Sequence, residues 1–336
     1  MDNNSNKEAK QNVPDELEEA PLAYENPDFL NSPDGRLLRI MAEYQEPMSR
    51  FRRERIQDTV VFFGSARFRA LDEANSELEL LENTGSAQPA PHHEQPARPG
   101  EIESGDPSRL KLKLAEAAVE MAQYYEDARR LAGMVATWAK DLPGRRHRFV
   151  VTSGGGPGIM EAANRGAYEV GAKTIGLNIR LPFEQHPNPY ITPELNFDFH
   201  YFFMRKYWFA YLAKALVVFP GGFGTLDEMF ELLTLAQTRK LAKKITVVIY
   251  GSEYWKHVIN LELLAEKGAI APSDLELFEW ADTPEEAFQI LKDQLTENHL
   301  ESAFDREEER LERERIPVEP APSVQEMMGP DITKTR

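Results

Sequence analysis

Residues 216–228 read LVVFPGGFGTLDE, and their reading decides the fold. Residues 216–220 are an apolar run suited to a buried strand. Pro220, Gly221, Gly222, Phe223 and Gly224 then make a tight turn, and from Thr225 the apolar residues Met229, Phe230, Leu232 and Leu233 predict a helix. A strand, a glycine turn and a helix start together make an anion site. The helix N-terminus offers unpaired N–H groups and partial positive charge, and glycine lets an anion approach the backbone because no Cβ intervenes.

The same unit recurs upstream. Residues 149–152 read as a strand that runs into Ser153, Gly154, Gly155, Gly156, Pro157 and Gly158, and then into a helix over 162–170 that follows Met160 and Glu161. A lone glycine-rich loop is weak, so a packing turn and a ligand turn both remain open here. Residues 59–63 (TVVFF) form a third apolar, β-rich run and end in Gly64, Ser65, Ala66 and Arg67. Arg67 reads either as a ligand contact or as a surface arginine. Further strands are expected over 173–178, 195–203, 244–250 and 278–281, separated by helices over 204–213, 225–238, 253–266 and 284–295. Alternating strands and helices imply a parallel sheet covered on both faces, with right-handed crossovers. The fold class is therefore α/β, Rossmann-like and doubly wound. The turns after its strands lie on one edge of the sheet, where such folds bind ligands.

Around this centre, residues 1–34 are polar, acidic and broken by prolines, and read as a disordered tail. A single domain is expected over 35–298, beginning with a helix over 36–56 that Pro47 should break or kink. Residues 84–108 are rich in Pro, Gly, Ser and Glu and read as a flexible insertion, in which His92 and His93 are poor metal ligands. In the helix over 109–141, Leu110, Leu114, Ala117, Met121, Tyr124 and Tyr125 share one face. Residues 299–336 read as a charged, largely disordered tail.

The 336 residues include 39 basic and 56 acidic side chains, a net charge of −17, and no cysteine. The charge disfavours a nucleic-acid binder, and the missing cysteine excludes disulfides and thiolate chemistry. No apolar run approaches the roughly 20 residues that span a bilayer. The N-terminal stretch has no targeting character, so no membrane association and a cytoplasmic location are expected.

The segments GGGPGIMEAANRGA (154–167), MRK (204–206) and PGGFGTLDE (220–228) resemble the LONELY GUY (LOG) family, long labelled "lysine decarboxylase". The resemblance covers about 59–295, apart from the insertion. It implies a Rossmann-like fold, a homodimer or larger homo-oligomer, and hydrolysis of the N-glycosidic bond of AMP or cytokinin riboside 5′-monophosphates to free base and ribose 5-phosphate. By the same resemblance Arg205 and Glu228 match the catalytic pair. Gly221, Gly222, Gly224 and Thr225 match the phosphate turn, beside which Pro220 is a candidate for substrate contact, and Gly155, Gly156, Gly158 and Met160 match the first glycine turn. Gly64, Ser65, Arg67 and Lys206 are further candidates for substrate contact. No metal or cofactor is expected, and no lysine sits in a recognisable pyridoxal-phosphate context. A non-catalytic nucleotide-binding protein on the same fold is the alternative. Glu228 also has a purely structural reading, because Thr225-Leu226-Asp227-Glu228 fits a T-x-x-E capping box.

Overall fold

The computed structural model describes residues 20–85, 107–181, 186–240 and 244–301. Sequence readings for 1–19, for 86–106 of the insertion with His92 and His93, and for 302–336 lie outside these residues. The chain divides into two compact units, 1–46 and 47–336.

In the first unit, α1 (Pro27–Asn31) is capped by the Asn26 side chain and begins on a proline, so residues read as disordered form a short helix instead. Arg39, in the opening part of α2 (Arg36–Arg53), donates to the carbonyls of Leu30 and Ser32. The α2 helix continues through Pro47 without the expected break.

The second unit is built on seven strands among the described residues: β1 (Thr59–Phe63), β2 (Val150–Ser153), β3 (Thr174–Ile179), β4 (Asn196–Phe199), β5 (Ala213–Val218), β6 (Thr246–Tyr250) and β7 (Glu279–Ala281). Every pairing is parallel, in the order β4-β3-β2-β1-β5-β6-β7. The connecting helices are α3 (Leu71–Gly85), α4 (Pro107–Lys140), α5 (Ile159–Glu169), α6 (Phe202–Leu212), α7 (Phe223–Gln237), α8 (Ser252–Val258), α9 (Leu261–Glu266) and α10 (Pro284–Leu295). The expected doubly wound α/β fold is present.

Strand alternation explains the two layers. Val60 and Phe62 pack with Val151, Val217 and Val248 against Leu131 and Val135 of α4, Ala163 of α5 and Leu291 of α10. On the other face Phe63 meets Phe209 of α6 edge-on at 4.8 Å, and Trp208 of α6 lies 5.3 Å from Phe51 of α2. Because the chain leaves β1 first towards β2–β4 and later returns to β5–β7, the order reverses beside β1. The carboxyl ends of β1 and β5 therefore border a crevice, which is where open α/β sheets place ligands.

Several expectations need correction. Leu110 and Leu114 are largely exposed, while Tyr125 turns inward as expected, and the buried stripe of α4 runs through Ala115, Ala122, Tyr125, Ala128, Leu131 and Val135. The helix expected over 253–266 is two helices, because Asn260 caps α9 and restarts the backbone. The apolar spacing of Trp255, Val258, Ile259 and Leu263 predicts one inward face; Trp255 is buried as expected and Leu261 joins it in the core, whereas Val258 and Leu263 are exposed.

The close approach of α4 and α5 depends on a glycine. A Cβ on Gly166 would sit 1.9 Å from the Arg129 carbonyl oxygen, a backbone atom that cannot swing aside. Gly166→Ala should therefore destabilise the protein by about 3 kcal/mol through overpacking, despite alanine's higher helix propensity. The shift in urea denaturation midpoint measures this; an unchanged or raised midpoint would contradict it.

Candidate active site

Three turns meet at the carboxyl edge. Ser65 N–H donates to the Pro220 carbonyl at 3.0 Å, and Ile159 N–H donates to the Ser65 carbonyl at 3.0 Å. Those two bonds tie the β1 turn to both glycine turns. The side chain of Ser65 accepts from Arg67 N–H at 3.1 Å, and Arg67 itself is exposed.

The glycines fall into two kinds. Gly155 and Gly158 have φ of 74° and 73°, a left-handed backbone that glycine adopts without penalty. A Cβ on Gly158 would lie 2.3 Å from the Ser65 carbonyl oxygen, and one on Gly155 would strike the Asn178 amide. Met160 presses its sulfur against Gly154. The first glycine turn is thus required by packing. Gly221 is likewise hemmed in, by Thr225 and Ser65. Gly222 and Gly224 differ, because a Cβ at either would meet nothing within 4 Å. Packing does not require glycine at these two positions, so it is here that the bare backbone is open to a ligand.

Gly222 is the N-cap of α7, with no side chain capping it, and the first helix bond runs from Leu226 N–H to the Gly222 carbonyl. The preceding N–H groups of Phe223, Gly224 and Thr225 form an uncapped helix N-terminus, suited to an anion. This corrects the capping-box reading. Because the helix begins at Phe223, Thr225 lies inside the first turn, and Glu228 faces side chains rather than the cap.

Glu228 is buried, with 4% of its surface exposed. One carboxylate oxygen lies 3.7 Å from Arg205 Nη2, and the other 3.5 Å from Lys206 Nζ. Burial pushes its pKa up to about 7, against the opposing pull of Lys206 and Arg205. Arg205, on the first turn of α6, is held over the rings of Phe202 at 5.1 Å and Phe209 at 5.6 Å. Burial lowers its pKa, and Glu228 and Asp227 partly offset this. Its Nε–H is buried without a hydrogen-bond partner among the described residues, an uncommon expense for a guanidinium. Lys206 is committed to carboxylates, at 2.8 Å from Asp227 and 2.5 Å from Glu231 as well as near Glu228. Burial draws its pKa down, but the bonds to Asp227 and Glu231 outweigh this and leave it raised. Lys206 thus supports Glu228 rather than standing open to a phosphate.

Sequence reasoning missed the second layer. Asn188 donates from one amide to the carbonyls of Gly155 and Gly156 and to Asn164, which also accepts from Ser153. Tyr254 O–H donates to the Gly221 carbonyl at 3.1 Å. The asparagines carry no motif, and Tyr254 arrives from a helix after β6, so only the fold brings them to the turns. His186 and His200 are exposed. Among the described residues no cluster of histidine and acidic side chains is placed to hold a metal ion.

Comparison with known proteins agrees with the motifs. Residues 160–291 match a family model described as "possible lysine decarboxylase". A rice protein named a probable cytokinin riboside 5′-monophosphate phosphoribohydrolase, LOGL3, is 28% identical over 46% of this chain and 72% of its own length. The Arabidopsis thaliana cytokinin riboside 5′-monophosphate phosphoribohydrolase LOG3 is 26% identical over 44% of this chain and 68% of its own. A Chlamydomonas reinhardtii protein solved as a Moco carrier is 22% identical, with a TM-score of 0.36 over 52% of this chain and 89% of its own. The resemblance to the LOG family is borne out by the family model and the curated relatives.

The raised pKa of Glu228 fixes a sign. A carboxyl whose folded pKa lies above its ordinary 4.5 binds its proton more tightly when folded. Its ionisation therefore costs stability as pH rises towards and through about 7. Glu228→Gln should match the wild type in stability below pH 4.5, gain on it between 4.5 and 7, and exceed it by about 3 kcal/mol at pH 8. Denaturation curves at pH 4 and 8 would show this, and a variant less stable at pH 8 would refute it.

Proposed function

We propose that the protein hydrolyses the N-glycosidic bond of nucleoside 5′-monophosphates, AMP or a cytokinin riboside 5′-monophosphate, releasing the base and ribose 5-phosphate. The observation that carries this is the buried Glu228 carboxylate, set beside Arg205 one helical turn beyond the open backbone of Gly222 and Gly224.

The 5′-phosphate would lie against the uncapped start of α7, close to the bare backbone of Gly222 and Gly224. Arg205, whose planar fork suits phosphate or sugar oxygens, would complete the anchor. Holding the phosphate fixes the ribose, so binding energy far from the reacting bond serves to position it. Breaking the C1′–N bond places positive charge on the sugar, as in glycoside hydrolysis. A Glu228 carboxylate opposes that charge or takes a proton from the attacking water. The water oxygen joins C1′, the bond electrons leave with the base, and the base ends protonated. A pKa of about 7 keeps a large fraction of Glu228 ionised at neutral pH while leaving it a competent base. No helix among the described residues is long and apolar enough to cross a membrane, and we place the activity in the cytoplasm. We also propose a homodimer or larger homo-oligomer, in keeping with the exposed rings of Phe202, Phe203 and Phe223 near the site.

Incubating the protein with a panel of nucleoside monophosphates, including AMP and its N6-isopentenyl derivative, and separating products by chromatography tests the reaction. Free base from wild type and none from Glu228→Gln is expected, with Arg205→Ala losing activity as well. Failure to release base from any nucleotide, with nucleotide still bound, would instead mean a binding protein. For an active substrate, kcat/KM should rise with pH and level off above about 7, as Glu228 ionises in the free enzyme. A flat profile from pH 5 to 8 would remove its carboxylate from the mechanism.

A further inference from the structure

The opposite edge of the sheet carries a feature that the proposed reaction does not use. At the amino ends of β2 and β3 lies a cavity of about 310 Å³, with an apolar floor from α4 and β2 and with Lys140, Arg145, Arg146, His147, Arg148 and Lys173 around it. No acidic side chain lines it, although the chain as a whole carries a net charge of −17. The backbone that presents these residues is held in place. His147 N–H donates to the Arg55 carbonyl, and Gln57 N–H donates back to the His147 carbonyl.

Three of the cations have partners that orient them. Lys140 donates to the Val170 carbonyl at 2.7 Å, Lys173 pairs with Glu54 at 2.9 Å, and Arg148 pairs with the buried Asp58 at 2.8 Å. Arg145 and Arg146 have neither a hydrogen bond nor an ion pair among the described residues, and both are exposed at the rim. Two adjacent like charges on one short loop repel each other, and a bound anion relieves that. The local field is positive enough to be felt by its neighbours: burial and then the charges of Lys173 and Arg55 hold His147 below its ordinary pKa.

We infer that this cavity is a second binding site, for an oligophosphate group, at the sheet edge opposite the candidate active site. Its concave shape and size fit two or three linked phosphates, whereas a nucleic-acid strand needs an extended basic stripe. Arg145 and Arg146 would close on the outer phosphates with their planar forks, while Arg148 and Lys173 line the cavity between them and the sheet edge. The chemistry is shared by inorganic polyphosphates and nucleoside polyphosphates. The inference does not depend on the reaction proposed above.

Isothermal titration of the full-length protein with inorganic tripolyphosphate, at about 0.15 M salt so that surface charge is screened, tests it. Wild type should bind. Arg145→Glu/Arg146→Glu should weaken binding at least tenfold, and Arg145→Gln/Arg146→Gln should weaken it less. Arg205→Ala weakens the phosphate anchor proposed at the other edge, so it should keep the binding that Arg145→Glu/Arg146→Glu loses. A parallel titration of Arg205→Ala with ATP, read as the binding lost when Arg145→Glu/Arg146→Glu is added, separates the sources: tighter binding than tripolyphosphate marks a nucleoside polyphosphate, and equal binding marks the phosphate chain alone. No binding by wild type, binding unchanged in the Arg145/Arg146 variants, or binding lost in Arg205→Ala would each overturn the inference.

Discussion

The site depends on one buried carboxylate. Glu228 is removed from water between a guanidinium and an ammonium, and neither contact is close enough to be a full hydrogen-bonded pair. Burial therefore wins over attraction, and the group sits near neutrality rather than in the usual carboxylate range. Such an arrangement costs stability and would be replaced by an apolar side chain if packing were its only purpose. The surrounding structure holds it in place. Asp227 and Glu231 fix Lys206, and Phe202 and Phe209 bracket Arg205. The sheet delivers the ends of β4 and β5, and hence the starts of α6 and α7, to the same edge.

The glycine turns around that carboxylate divide the labour. Gly158 lets its turn stack on the backbone of Ser65 and Ala66, Gly155 and Gly221 make room for the side chains of Asn178 and Thr225, and Gly222 and Gly224 leave the last turn open. Rigid support and open backbone are different demands, and both read as glycine in sequence. The buried amides of Asn164 and Asn188 add the remaining hydrogen bonds that a tightly folded turn needs.

Much of the fold was legible because its strands are continuous apolar runs ending in small-residue turns, a pattern that only a buried parallel sheet explains. Residues 59–63 and 246–250 were read within a residue or two of their observed bounds. Boundaries that depend on tertiary packing were not. Apolar spacing alone could not show that Leu110 and Leu114 face outward, or that Asn260 divides one helix into two. At the site, the pairing of Arg205 with Glu228 was suggested by motif and is present in space. The T-x-x-E pattern misled, because the choice between capping a helix and facing another helix rests on where the helix begins, and Gly222 moves that start two residues earlier. The role of Lys206 was hidden for a similar reason, since its partners lie on α7 and become neighbours only when the two helices pack.

The state of the Glu228 carboxyl can be observed directly. Carbon-13 NMR of protein labelled at the glutamate side-chain carboxyls, with Glu228→Gln used to assign the resonance, gives its titration curve. A midpoint near 7 is expected, the mark of a carboxyl whose burial outweighs its two cationic neighbours. A midpoint at or below the ordinary 4.5 would mean that Arg205 and Lys206 hold it as a simple ion pair, and would contradict its assignment as a base poised for neutral pH.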